Sequence, residues 1–264
     1  MHPREMRWRL IDTPPAPGAW NMAVDEALAA SVAAGGEPVL RFYRWEPACL
    51  SLGRNQPARG RYDLEALAAA GIDVVRRPTG GRAVLHRREL TYSVAAPVAL
   101  LGAPRHAYAA INRSLVAGLR RLGAAASLQP STDARAPLPS LAPCFAEPVE
   151  GEVVAAGRKL VGSAQRLLGS VILQHGSLPL HDDQSAVAAL LAERDPSAAE
   201  APPATLAEVL GREPAWEELT AALAAGWEES LGAVLVPGAP TEDETGLARD
   251  AVERYAGPAW TWHQ

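Results

Sequence analysis

The sequence predicts an α+β fold, and three observations carry that expectation. Strand-like runs follow one another closely at 39–52 and again at 150–176, as hairpins do. Helical periodicity is gathered between these groups of strands. From about Asp182 onward it takes over the chain, unlike the regular alternation of a doubly wound parallel sheet. At 264 residues and 48% hydrophobic, the chain can bury a sizeable core. One domain is expected over 1–264, with a sheet core over about 1–182 and a helical part over about 183–264.

Residues 7–12 alternate loosely and read as a strand, ended by the Pro/Gly-rich turn 13–18. Asn21 is placed to cap a helix through about Val32, which Gly35-Gly36 stops. Stretches 39–45 and 48–52 read as the two strands of a hairpin across Glu46-Pro47. Residues 61–70 form a short helix closed by Gly71, and 73–76 begin another strand. Stretch 89–96 has the β-branched and aromatic alternation of a half-buried strand. Pro104 suits the first position of a helix to Leu122, with Gly123 at its end. The Pro- and Ser-rich stretch 129–143 is too long for a plain connector and is a candidate functional loop. Strands at 150–156, 159–164 and 170–176 follow, joined by glycine turns. Helices are expected over 185–193, 205–210, 214–231 and 241–255. Thr241 and Glu244 stand at capping-box spacing at the start of the last.

A formal net charge of −5 makes no general case for nucleic-acid binding. No apolar run reaches the roughly 18 residues of a membrane span, and the N-terminus has no signal-peptide core. The two cysteines, Cys49 and Cys144, stand in no metal-ligand spacing, so no metal is expected. Reduced thiols and a cytoplasmic location are the expectation.

Three stretches carry candidate chemistry. The first contains Lys159, the only lysine; the other 24 of the 25 Lys and Arg residues are arginine. An amine can release a proton where a guanidinium cannot, so Lys159 is either an amine required for chemistry or a chance surface residue. The second runs from Arg76 to His86, with Gly80-Gly81 read as a turn between two strands. It is either an ordinary hairpin or a place where backbone meets a ligand closely. No Walker loop is present. The third is Pro143-Cys144-Phe145, in which Cys144 is either a small buried hydrophobe or a nucleophile; Cys49, in an apolar run, reads as core. His86 and His175 read either as structural histidines or as groups that touch substrate.

In order, Asn21-Met22-Ala23-Val24-Asp25-Glu26-Ala27, Arg76–His86 with Glu89-Leu90-Thr91-Tyr92-Ser93, Cys144-Phe145, Gly157–Arg166 and Gln174–Ser177 resemble the lipoate/octanoate transferase family. That resemblance implies the biotin/lipoate protein ligase fold: a mixed, largely antiparallel sheet flanked by helices, with an acyl-binding tunnel. It further implies that Cys144 accepts an octanoyl group from octanoyl-acyl carrier protein and passes it to a lysine of a lipoyl domain or of the glycine-cleavage H protein. Lys159 is then the second catalytic residue, pointing into the same pocket. Arg77, Thr79, Gly80, Gly81, His86, Gly162, Ser163, Ala164 and His175 bind substrate. Arg87-Arg88, where relatives carry acidic or neutral residues, departs from the pattern.

Physical chemistry agrees with the implied roles. A free thiol is only a few per cent thiolate at neutral pH, and a neighbouring cation increases that fraction. Thioester exchange is nearly isoenergetic and amide formation from a thioester is downhill, so no nucleotide cofactor is expected. The competing readings are an ATP-dependent lipoate–protein ligase, which needs no nucleophilic cysteine, and an amidotransferase working between two lipoyl-domain proteins.

Overall fold

The computed structural model describes residues 6–130, 150–193 and 202–264; Cys144 lies outside them. In chain order the elements begin with β1 (Met6–Asp12), α1 (Gly18–Ala33), β2 (Val39–Tyr43), β3 (Cys49–Leu52), α2 (Leu64–Ala69) and β4 (Asp73–Arg76). Next come β5 (Val84–His86), β6 (Glu89–Pro97), α3 (Val98–Leu101), α4 (Pro104–Arg121), β7 (Ala126–Leu128), β8 (Val153–Ala155) and β9 (Arg158–Lys159). After these stand β10 (Gly162–Leu168), β11 (Val171–Pro179), a 3-10 helix (Gln184–Leu190), α5 (Leu206–Leu210) and α6 (Trp216–Leu231). β12 (Ala233–Gly238), α7 (Glu242–Ala256) and α8 (Pro258–Thr261) complete the described elements.

The main sheet has six strands in the order β10-β11-β6-β2-β1-β12. It is antiparallel from β10 to β2 and parallel across β2-β1-β12, so the expected mixed sheet is present. Two three-stranded sheets, β4-β3-β5 and β7-β8-β9, flank it.

Period-2 alternation sorts the strand side chains between two cores. Leu40 and Phe42 of β2, with Tyr92 and Val94 of β6, face the α4/α6 layer, where Trp8 meets Trp227 edge-on at 5.2 Å. Val39 and Tyr43 of β2, with Val171 and Leu173 of β11, face the α1/α7 layer. On that second face the sheet also carries Arg41, Thr91, Ser93, His175 and Ser177, all buried. A row of polar side chains under a helix is uncommon in a core and marks where the site is built.

Several local expectations are corrected. β2 and β3 are not a hairpin, because β3 leaves for a different sheet. Gly80-Gly81 does not join hairpin partners either, since β4 and β5 flank β3 on opposite edges. Asn21 does not cap α1: it lies inside the helix, where its amide donates to the carbonyls of Ala16 and Arg44 at 3.0 Å each. The 185–193 helix is a 3-10 helix over Gln184–Leu190, and the helical C-terminal part also contains β12, which pairs in parallel with β1. The capping box at Thr241 and Glu244 forms as expected. No helix among the described residues is long and apolar enough to cross a membrane.

Helices α4 and α6 touch at Gly118 and Gly226, where a Cβ on Gly226 would stand 2.1 Å from the Gly118 nitrogen. Overpacking such a contact forces the helices apart. Gly226→Ala is expected to lower the unfolding free energy by about 1–3 kcal/mol in urea melts, while leaving the opposite face of the sheet, and therefore ligand binding, unchanged.

Candidate active site

The polar face of the sheet is organised by one ion pair. Asp25 on α1 and Arg41 on β2 are both fully buried, with Nη1 donating to Oδ1 at 2.7 Å. Arg41 also donates to Asn21 Oδ1 at 2.8 Å and to Thr13 Oγ1 at 3.0 Å. Asp25 accepts from Ser93 Oγ at 2.7 Å and from Tyr43 Oη at 2.9 Å. Burial pushes the Asp25 carboxyl upward, but Arg41, His175 and Ser93 together hold it below the usual range.

Two histidines extend from this face. His175 Nδ1 lies 3.2 Å from Asp25 Oδ2, and its Nε2 lies 2.5 Å from Thr79 Oγ1. A carboxylate only accepts, so Nδ1 carries the proton and Nε2 accepts from the threonine hydroxyl. Burial, ahead of the opposing pull of Asp25, lowers the His175 pKa, so the ring is neutral. His86 repeats the pattern: Nδ1 is 2.7 Å from Glu89 Oε1 and Nε2 is 2.6 Å from Ser51 Oγ. Its ring stacks on Trp45 at 4.0 Å between centroids. Glu89 also accepts from Thr91 and Ser177.

Between the two histidines lies a pocket of about 320 Å³ of empty space, open at one side. Met22, Tyr43 and Trp45 line one wall, and Gly162, Ser163 and Ala164 line another. Arg77, Val84 and His86 line a third wall, with His175, Gly176 and Ser177 beside them. The Arg77 guanidinium is spent internally, donating to Ser51 at 2.7 Å and to the carbonyls of Gly80 and Arg82 at 2.9 and 2.8 Å. It therefore shapes the segment between β4 and β5 from within. Gly81 has φ +90°, and a Cβ there would stand 3.2 Å from Arg77 Nη2. A Cβ on Gly53 would stand 1.9 Å from the Gly81 carbonyl oxygen, so the segment passes directly over a second glycine.

The expected site residues are thus largely gathered. Arg77, His86, Gly162, Ser163, Ala164 and His175 line the pocket, and Thr79 holds His175. Gly80 and Gly81 form the turn over Arg77. Lys159 is buried on β9 and is not on the pocket lining; its Nζ donates to Glu152 Oε1 at 2.7 Å. Of the Arg87-Arg88 pair, Arg88 meets Asp183 at 2.9 Å and Arg87 is exposed. Among the described residues no group of three or more His, Cys, Asp or Glu is placed to hold a metal.

The buried networks also draw in Asp25, Arg41, Ser51, Glu89 and Glu152, which are not among the expected site residues. A signal existed for two of them. Asn21 and Asp25 stand four residues apart on a helix whose neighbours are apolar, and Arg41 sits mid-strand between apolar residues.

A mixed sheet with this half-open pocket on its helix-covered face defines a catalytic domain of the biotin/lipoate protein ligase fold. The model of the Lipoyl protein ligase A/B catalytic domain matches residues 17–228, and the chain belongs to that family, as a member of the LipM type. It is 42% identical to the Octanoyltransferase LipM of Kyrpidia tusciae over 97% of this chain and 99% of that protein. It is also 42% identical to that of Symbiobacterium thermophilum, over 97% and 98%. Among solved structures it is similar to lipoate-protein ligase A bound with ATP, at 26% identity, a TM-score of 0.79 and 98% of both chains. A bi-partite lipoate protein ligase from Thermoplasma acidophilum is 25% identical with a TM-score of 0.78, over 97% of this chain and 96% of that one.

Two outcomes follow from the buried network. Arg41→Met leaves Asp25 charged and unpaired, and is expected to cost about 3–5 kcal/mol in chemical denaturation. His175 is neutral when folded, with its pKa below the ordinary 6.5. Its contribution is therefore complete above about 6.5 and is lost as the pH falls through the lower folded value. Unfolding free energies measured at pH 7 and pH 5 should converge in His175→Gln relative to the unsubstituted chain.

Proposed function

We propose that the chain is an octanoyltransferase of protein lipoylation. It moves an octanoyl group from octanoyl-acyl carrier protein, through a thioester on Cys144, to a lysine of a lipoyl domain or of the glycine-cleavage H protein. The observation that carries the reading is the near full-length likeness to LipM octanoyltransferases in a chain whose pocket is walled by apolar groups and glycine backbone. Each methylene of an acyl chain buried there contributes about 0.8 kcal/mol.

The chemistry runs in two exchanges. The Cys144 thiolate attacks the donor carbonyl, the carbon–sulfur bond to the carrier's arm breaks, and that sulfur leaves as a thiolate that takes up a proton. The acceptor amine then attacks the new thioester, forming the carbon–nitrogen bond and releasing Cys144, with one proton lost from nitrogen. Lys159 serves as the cation that favours the thiolate and as the group that passes the proton, and Glu152 at 2.7 Å fixes where its ammonium points. Arg77, Thr79, Gly80, Gly81, His86, Gly162, Ser163, Ala164 and His175 form the acyl-binding walls and their supports. Cys49 is no rival nucleophile. It is fully buried, Gly18 packs against its sulfur so closely that a Cβ would stand 2.5 Å away, and burial pushes its thiol pKa well up.

The solved ligase bound with ATP makes nucleotide dependence the discriminating measurement. Mixed with octanoyl-carrier protein and no ATP, the chain should gain one hydroxylamine-labile octanoyl group by intact mass. Cys144→Ser should remove both adduct and transfer, whereas Cys49→Ser keeps both. Transfer that survives Cys144→Ser and demands ATP would make the chain a ligase. A faster reaction from an octanoylated lipoyl-domain protein would make it an amidotransferase. Lys159→Arg should fold normally and lose at least about 100-fold in rate, the scale of a lost acid–base group.

A further inference from the structure

A second concavity lies on the far side of the segment that closes the pocket. It holds about 790 Å³ of empty space open to solvent, has a floor of α1 alanines, and is walled by Arg54, Pro78, Arg166, Arg254 and Trp260, with Glu26 at its side. Arg254 is answered by Glu26, to which it donates at 2.7 Å. Arg54 and Arg166 form no ion pair among the described residues. Arg166 Nη1 donates to the Pro78 carbonyl at 3.1 Å, and the Arg54 guanidinium stands 5.8 Å from the Trp260 ring centroid. Both are half-buried. Burial first, and the charge of Arg54 second, lower the Arg166 pKa, so the two cations are close enough to repel.

Three guanidinium groups therefore converge from the β3–α2 connection, from β10 and from α7, with one carboxylate between them. The chain as a whole carries a net charge of −5, so a basic cleft is against its average. An arriving anion removes the repulsion between Arg54 and Arg166, and guanidinium forks from separate elements suit a tetrahedral oxyanion better than a flat acidic surface. The place is informative too. Ala164 and Arg166 share one face of β10, about 7 Å apart along the strand, and Ala164 lines the acyl pocket. Arg166 also holds the carbonyl of Pro78, whose neighbour Thr79 holds His175. Cleft and pocket are thus two sides of one wall.

We propose that the Arg54–Arg166–Arg254 cleft binds a phosphate group, and that this phosphate is the one on the arm that carries the acyl thioester to the neighbouring pocket. The first half stands on the cleft alone; the second rests on the acyl-transfer reading.

The test uses the full chain with pantetheine, 4′-phosphopantetheine and inorganic phosphate as calorimetric ligands, and octanoyl thioesters of both arms as substrates. The phosphorylated arm should bind at least about 10-fold more tightly, the scale of one charge-assisted hydrogen bond, and inorganic phosphate should compete with it. In Arg54→Gln, checked for an unchanged melting temperature, that preference should fall to about 3-fold or less, while turnover of octanoyl-pantetheine stays as it was. Arg54→Lys, which keeps the charge, should retain part of the preference. Equal affinity for both arms in the unsubstituted chain overturns the proposal. So does an Arg54→Gln variant that weakens both arms alike. A defect confined to carrier-bound donor, with the small phosphorylated thioester unaffected, assigns the cleft to acidic side chains and also overturns it. Phosphate binding without transfer from any thioester leaves the cleft standing and removes the function assigned above; transfer without phosphate preference does the reverse.

Discussion

The ion pair between Asp25 and Arg41 is the interaction on which the rest depends. Both groups are wholly buried, where separate charges cost several kcal/mol each, so each is tolerable only because the other is present. The pair joins α1 to β2, and Asp25 then collects Ser93 from β6, Tyr43 from β2 and His175 from β11. Four elements distant in sequence are thereby fixed relative to one carboxylate. The pocket is the space left beside that knot, and His175, Tyr43 and their neighbours in the knot form part of its walls.

The same logic sets the roles of the two histidines. Each spends Nδ1–H on a carboxylate and Nε2 on a hydroxyl, so each ring is held in one tautomer and one orientation. Hydroxyl, imidazole and carboxylate in line resemble a nucleophilic triad. Ser51 and Thr79, however, have no exposed surface and are not on the pocket lining. Moreover, Ser51 Oγ already receives Arg77 at 2.7 Å, which ties the β4–β5 segment to β3. These are brackets that hold two pocket walls apart.

Much of this was legible in the sequence where a local rule governs the outcome. The strand at Glu89–Pro97, the helix opened by Pro104, and the capping box at Thr241 follow from alternation, ring geometry and side-chain spacing, and all three form. The hairpins assigned across Glu46-Pro47 and Gly80-Gly81 do not form, because turn residues reveal that the chain reverses and not which strand it pairs with next. β3 takes β4 and β5 as partners on its two edges, a choice made by burial of Leu50, Leu52 and Leu85 together. The site was legible to the same extent. Glycines and histidines stand out in a sequence, whereas a charge among apolar residues, as at Asp25 and Arg41, tells only that a partner is needed and not that it lies 16 residues away, and Glu152 acquires meaning only from Lys159, 7 residues on.

The division of labour that results has a physical reason. A pocket for an acyl chain must be dry and preformed, because ordering it on binding would consume the modest free energy that a few methylenes supply. The proposed thioester exchange has opposite needs: in it two macromolecular substrates reach the same sulfur in turn, so that sulfur cannot sit behind a packed wall. Cys49 illustrates the conflict, since the packing that makes it a good core residue also keeps its thiol protonated. Lys159 stands between the two regimes. It is buried like the pocket walls and paired with Glu152, yet it precedes the pocket-lining Gly162 by only three residues. An amine so placed is held by the scaffold while standing one short turn from the pocket, which suits the proton-transfer role proposed for it.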